Sequence, residues 1–406
     1  MKTYKHLFEP MIEPRTVANC ALDAAVGKLR RKEVIGTFVK FDKSYDRVAA
    51  CALNPDYRPC EDNKHEIIDG ANHKPREIEK PMFCPEQVLH HMIVEPFKKV
   101  LLDGLYEQVY GCLPPTIKED KNGKITVRKY GQHAAIRQLR KWVQIGKKVY
   151  VAETDIHHAY GSVNIHILTS QMRRVIKDKE WLRLTYQFLH YQPDEAKSKE
   201  LCGLILGHYT SPWFFNFYLK DFDHFAASLS GVKYLRFADN LFLVGTNKRK
   251  VHKALEAIRI YLQRELALEL NSCTQVYRFE WEDRHGKVRG RAVNALGAVI
   301  HYNRVTLRKS ILMRMRRKSL RIGRKKGSVT WHDGASMLSR LSWIRWTDTF
   351  TYYSKYIKPN INTRQLKRRV RNHSRKLMPI YEERRRIIYD GLEKSARLSG
   401  RKATGV

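Results

Sequence analysis

Two acidic side chains carry the chemistry legible in this sequence. Asp155 closes the apolar run "KKVYVAETD". Asp239 sits in "YLRFADNLFLVG", between strand formers: Phe237 on one side and Leu241, Phe242, Leu243 and Val244 on the other. An Asp-Asn pair suits a hairpin turn, because both residues tolerate turn dihedrals and cap their own backbone. Taken alone, such a turn needs no function. A second carboxylate at a strand end changes the reading, since a strand end and a neighbouring hairpin can bring both side chains together on a helix-backed sheet. Two carboxylates there can hold two divalent ions about 3.5–4 Å apart, which activate an attacking hydroxyl and stabilise a leaving pyrophosphate. Phosphoryl transfer asks for positioning and charge neutralisation rather than covalent chemistry. Mg²⁺ suits all-oxygen ligands shared with substrate phosphates, and Mn²⁺ is the alternative ion.

The elements that must position these residues are readable from apolar spacing. A helical pattern covers 15 to 32, with strand-like segments at "EVIGTFVKF" and "HEIIDG". Residues 86 to 110 and 131 to 145 have helical spacing, and "PPTIKEDKNGKITVR" between them is a surface loop or hairpin. A strand ends near Asp155. A glycine-containing loop then feeds an apolar helix near Ser211-Pro212, where the serine suits an N-cap. The hairpin at 232 to 246 follows, then an amphipathic helix at 248 to 268 and strand-like segments at 274 to 281 and 292 to 301. Beyond them the chain reads as helical and very basic, with Gly323 and Gly327 marking a break.

Composition narrows the partners. The 406 residues suffice for two or three subdomains with their own cores. Lys and Arg number 77 against 41 Asp and Glu, a formal net charge of +36, which predicts a polyanion partner, usually nucleic acid. No apolar run approaches the roughly 18 residues of a spanning helix, and the first residues lack the apolar core of a signal peptide, so the expectation is a cytoplasmic protein with no membrane partner. The seven cysteines are scattered and never form a CxxC, against both a disulfide framework and a cysteine zinc site. The adjacent pairs His90-His91 and His157-His158 are weak metal candidates and read as solvated or hydrogen-bonded histidines.

Seven segments, in order from about residue 74 to 310, resemble the motifs of reverse transcriptases: "KPREI", "YGQHAAI", "TDIHHAYGSV", "GLILGHYTSPWFFNFYL", "FADN", "LELNSCT" and "ALGAVIHYNRVTLRK". The resemblance implies an α+β right-hand polymerase with fingers, palm and a basic helical thumb, performing RNA-directed DNA synthesis from dNTPs by a two-metal mechanism. It implies metal ligation at Asp155, Ile156, Asp239 and Asn240. Arg76 would contact the incoming triphosphate, Ile78 would pack near the templating base, and Tyr160 would exclude a ribose 2′-hydroxyl. Leu206 and Gly207 would line the nucleotide and template pocket. The boundaries expected are 1–146 for the N-terminal extension and fingers, 147–302 for the palm, and 303–406 for the thumb and tail.

Within that family the chain is most similar to reverse transcriptases of diversity-generating retroelements, which place an aliphatic residue before the motif glycine, as Leu206-Gly207 does here. An aliphatic side chain there offers the nucleotide no hydrogen bond, which implies an error-prone enzyme. Ser211-Pro212 follows other bacterial reverse transcriptases instead, so a defence-associated enzyme is the alternative. Two departures touch chemistry. Asn240 stands where a second Asp is usual, removing one negative charge, and Cys273 stands where the family often has Lys. A non-catalytic RNA-binding protein of the same fold is the rival these departures raise. The basic segments place phosphate contacts at Arg314, Arg316, Arg317, Lys318, Lys325 and Lys326, on an RNA template or an RNA–DNA hybrid. A basic accessory protein is a further expected partner. Trp343, Trp346, Tyr352 and Tyr353 recur at helical spacing and read as thumb core.

Overall fold

The computed structural model describes residues 2–28, 31–60, 63–68, 75–119, 125–145, 148–190, 201–325 and 328–402. Four helices open the chain: α1 (Phe8–Ile12), α2 (Pro14–Ala25), α3 (Lys32–Val39) and α4 (Phe41–Leu53). The sequence expectation of a strand at 33–41 is wrong. Val34, Thr37, Phe38 and Phe41 are the buried residues, an i, i+3, i+4, i+7 spacing that only a helical face provides. The β-branched residues there suggested a strand, but burial decides the outcome over propensity. The pattern at 15–32 likewise divides, with α2 ending at Ala25.

Two hairpins and two helices follow. β1 (Asn63–Ile68) pairs antiparallel with β2 (Pro75–Lys80), which carries Arg76 and Ile78. α5 (Val88–Leu102) is apolar almost all round and runs through the centre of the molecule. β3 (Thr116–Glu119) and β4 (Ile125–Arg128) form the expected hairpin; its Asn122-Gly123 tip lies outside the described residues. α6 (Gln132–Val143) closes this part.

The sheet that positions the carboxylates is antiparallel throughout. It is built from β5 (Tyr150–Asp155), then, after α7 (Ile165–Val175), α8 (Lys179–Phe188), α9 (Ser211–Tyr218) and α10 (Lys220–Ser228), from β6 (Lys233–Phe237) and β7 (Asn240–Gly245), and after α11 (Lys248–Leu266) from β8 (Gln275–Arg278). Their order in the sheet is β6-β7-β5-β8. On one face Ala152, Leu241 and Leu243 join a core with Ile258 and Leu262 of α11. On the other Val151, Phe242 and Val244 join a second core with Ile136 and Leu139 of α6. β7 is thus apolar on both sides, and a one-residue slip would exchange one buried set for another. Burial alone leaves its register open, and the two-residue turn fixes it. Ser211 corrects the N-cap expectation. Thr210 occupies the cap, and the Ser211 hydroxyl donates back to the Ile205 carbonyl at 2.6 Å.

Short strands β9 (Trp281–Glu282), β10 (Val288–Arg289), β11 (Ala298–Ile300) and β12 (Val305–Leu307) lead to α12 (Lys309–Arg324), α13 (Trp331–Leu341), α14 (Phe350–Tyr356) and α15 (Thr363–Lys402). These last helices have their own small core around Met315, Ile322, Met337 and Leu366. α15 packs on α13 and reaches back to α2, α3 and α4. Gly323 does not break the chain. It lies in the last turn of α12, where a Cβ would stand 3.0 Å from the Asn360 carbonyl; Gly327 lies outside the described residues. Among the described residues, no helix is long and apolar enough to cross a membrane.

Candidate active site

The β6–β7 turn consists of Ala238 and Asp239. Ala238 takes a φ of +53°, a backbone state that a small side chain tolerates better than a branched one. Asp155 pairs with Asn240 across the ladder, and the Ile156 N–H donates to the Asp239 carbonyl at 3.1 Å. The two carboxylates therefore leave adjacent strands at one level, where paired Cα atoms are about 5 Å apart. An amide holds each of them. Asn240 Nδ2 donates to Asp239 Oδ1 at 2.8 Å, and Asn271 Nδ2 to Asp155 Oδ2 at 3.3 Å. Burial pushes the Asp239 carboxyl above its ordinary range and the Asp155 charge adds to this. The Asp239 backbone N–H, the Asn240 amide and the Arg76 guanidinium work the other way.

A cleft of about 1030 Å³ opens over these residues, at the upper end for small-ligand sites. Arg76, Tyr160 and Leu206 line one part of it, with Asp155, Ile156, Asp239 and Asn240 at its floor. Tyr160 stacks on Phe215, ring centroids 4.9 Å apart, and burial raises its hydroxyl pKa. Leu206 is exposed to the cleft while its carbonyl accepts from the Glu79 N–H at 2.8 Å. Gly207 takes a φ of +115°; a Cβ there would overlap the Glu79 carbonyl and stand 2.7 Å from Ile78 Cγ2. Ile78 and Gly207 thus form the joint between β2 and the 206–210 loop, and neither is among the residues that line the cleft.

Behind that loop sit the histidines. His90 and His91 lie on α5 and are buried, so neither is solvated, while His90 is hydrogen-bonded. His90 Nδ1 is 3.1 Å from the Thr210 hydroxyl, and His91 stacks on Tyr209 with centroids 3.7 Å apart. Burial holds His90 well below the ordinary histidine range and pushes His91 down to about 3, so both are neutral supports of the loop.

The thumb expectation divides. Arg314 lines the cleft and Arg317 is exposed. Arg316 lies over the Tyr356 ring at 5.0 Å. Lys318 and Lys325 pair with the buried Asp333 at 2.8 and 2.6 Å, Lys325 with 42% of its side chain exposed, so a structural ion pair accounts for both without phosphate. Lys326 lies outside the described residues. Trp343, Tyr352 and Tyr353 pack on the thumb core as expected; Trp346 is half exposed and stacks on His133 at 5.2 Å. Cys273 is exposed beside Asp155 and Asn240, in a smaller recess shared with Arg291.

The donor types available at the cleft floor, carboxylate, carbonyl and amide oxygen, fit a magnesium-like ion. Among the described residues no group of three or more His, Cys, Asp or Glu forms a metal cage, so ions here would share their coordination with substrate phosphates and water. Asn271 and Gln132 also line the cleft and were not singled out in the sequence. For Asn271 the signal lies in "LELNSCT", two residues before Cys273.

Asn240→Asp exchanges a donor for a second anion beside Asp239. The metal-free protein is expected to lose roughly 1 kcal/mol as one hydrogen bond becomes a repulsion. The Mg²⁺ concentration for half-maximal activity should fall by up to about tenfold, since the site regains a hard anionic ligand. Thermal melts and a Mg²⁺ titration check the two parts; an unchanged Mg²⁺ requirement would remove residue 240 from the ligand set.

Residues 102–289, slightly under half the chain, match the family described as reverse transcriptase (RNA-dependent DNA polymerase). Arg76, Ile78 and the thumb cations lie outside the matched span. No curated protein matches. Among solved structures, apo telomerase from Candida tropicalis, truncated from its C-terminal domain, is similar at 12% identity over 61% of this chain and 55% of that one, with a TM-score of 0.39. This chain thus covers about half of that telomerase. The α+β mix expected from the sequence is observed, with α11 and α6 packed on opposite faces of a four-stranded antiparallel sheet.

Proposed function

We propose, from the reverse transcriptase match over residues 102–289, that the protein is an RNA-directed DNA polymerase that extends a primer 3′-hydroxyl on an RNA template with dNTPs. The observation that supports this best is convergence. Asp155 and Tyr160, Asp239, and Arg76 come from three separate segments and line one cleft. Divalent ions bound there would lower the pKa of the attacking hydroxyl and offset charge on the leaving pyrophosphate. Asp155 and Asp239 hold them, with the Ile156 carbonyl and the Asn240 amide as further oxygen donors. Arg76 neutralises the triphosphate, and the Tyr160 ring, fixed by Phe215, fills the space a 2′-hydroxyl needs. Residues 1–146 and 147–302 serve as fingers and palm, and 303–406 as the thumb that grips the hybrid through Arg314 and Arg317. RNA-dependent incorporation of labelled dNTPs by the purified chain tests this; a chain that binds RNA without incorporation in Mg²⁺ or Mn²⁺ is the non-catalytic rival.

The finer reading is an error-prone enzyme of a diversity-generating retroelement, acting in the cytoplasm with a basic accessory protein. Its support is Leu206, an exposed aliphatic side chain on the cleft wall where a polar group could test the base. With no buried polar group to leave unpaired, a mispair is penalised less. Products of the natural protein should carry about tenfold more misincorporations than those of Leu206→Gln. Equal, low error rates in both would reduce Leu206 to packing and favour the defence-associated alternative.

A further inference from the structure

β6, at the edge of the sheet, carries a charge that is buried and so has no evident use. Arg236, three residues before Asp239, is fully buried, and so is its partner Asp223 on α10. The pair is bidentate, Nε to Oδ1 at 2.7 Å and Nη2 to Oδ2 at 2.6 Å. Tyr234 also donates to Asp223 Oδ1, at 2.8 Å. The remaining nitrogen, Nη1, is shared: it donates to Asn216 Oδ1 on α9 at 2.9 Å and to the Ala238 carbonyl at 3.1 Å. Asn216 Nδ2 then donates to the Gly111 carbonyl at 3.0 Å. Gly111 lies so close under the turn that a Cβ there would overlap the Ala238 backbone nitrogen. The guanidinium therefore joins α9, α10 and the 111 loop to one carbonyl of the turn that bears Asp239.

Stability is a poor reason for this arrangement. A buried ion pair often contributes no more than apolar side chains of similar volume would, because desolvation offsets the attraction. What apolar side chains cannot supply is the bond to the Ala238 carbonyl, and the apolar β7 strand does not locate the turn by burial. We propose that Arg236 is a positioning residue that fixes the hairpin tip so that the Asp239 carboxylate meets Asp155 at the spacing two shared ions require. This rests on the reading of Asp155 and Asp239 as metal ligands.

The test separates holding the fold from holding the tip. In Arg236→Met/Asp223→Leu/Tyr234→Phe the ion pair and its tyrosine hydroxyl are replaced by apolar side chains, while Asn216 Oδ1 and the Ala238 carbonyl each lose a donor, so the melting temperature should fall by only a few degrees and RNA affinity should stay near that of the natural protein. Its kcat should nonetheless fall by about 100-fold, the cost of a misplaced reacting group, and half-maximal activity should need more Mg²⁺. A folded triple variant with natural kcat and Mg²⁺ requirement would overturn the inference alone. If that variant does not fold, Asn216→Ala decides the matter by removing both the acceptor that orients Arg236 Nη1 and the donor to the Gly111 carbonyl under the turn. A roughly tenfold lower kcat with raised Mg²⁺ requirement is expected, and natural values for both would overturn the proposal. Full activity in Asp239→Ala would overturn the metal-ligand reading, and this inference with it.

Discussion

Alanine at Asp155 or Asp239 is expected to lower primer extension at least about 10³-fold, which is about 4 kcal/mol of transition-state stabilisation. RNA affinity should change by less than about twofold, because the proposed phosphate contacts, Arg314 and Arg317, lie on α12 and not on the sheet. Stability adds an independent check. Burial and the Asp155 charge raise the folded-state pKa of Asp239. An acid whose folded pKa lies above its unfolded value favours folding while protonated, and that contribution is lost as pH rises through the folded pKa. At neutral pH its ionisation therefore costs stability, and metal-free Asp239→Ala should melt no lower than the natural protein. Mg²⁺ should raise the melting temperature of the natural protein, as any ligand of the folded state does, and leave that of Asp239→Ala unmoved. Equal Mg²⁺ shifts in both would place the ions elsewhere.

Gly207→Ala is the second large effect. The backbone there stands at φ +115°, which L side chains rarely adopt, and the new Cβ would overlap the Glu79 carbonyl, which cannot swing away as a side-chain end could. The 206–210 loop must then part from β2, losing the bond from the Glu79 N–H to the Leu206 carbonyl. A cost of at least about 2 kcal/mol follows, from strain at a special dihedral plus backbone overlap. Because Arg76 is on β2 and Leu206 on the loop, the damage should appear in nucleotide handling: KM for dNTPs should rise about tenfold or more, with RNA affinity retained. A variant with natural KM would mean that β2 and the loop move independently of the nucleotide pocket.

The site was more legible than the elements around it, for a physical reason. Asp155 and Asp239 are flanked by apolar runs whose only use is a buried strand, so residue type, spacing and element agree. "EVIGTFVKF" offered no such agreement, since its β-branched residues suit a strand while its burial follows a helix; only the packing of α3 on its neighbours chose. The lysines of α12 show another limit. Charge counts them all alike, but Lys318 and Lys325 face Asp333 across a turn of chain, a pairing no local pattern records. Arg236 carries no local signal of its role within the hairpin, because a buried cation is rare and its partners lie 13 and 20 residues upstream.

Extension of a primed RNA of known sequence by the purified chain, with dNTPs and Mg²⁺ and the product sequenced, tests the central claim most directly. The expected result is DNA complementary to the RNA, absent without the template and absent with Asp155→Ala. RNA bound at natural affinity with no nucleotide added, in Mg²⁺ or in Mn²⁺, would contradict the account and leave an RNA-binding protein of polymerase fold.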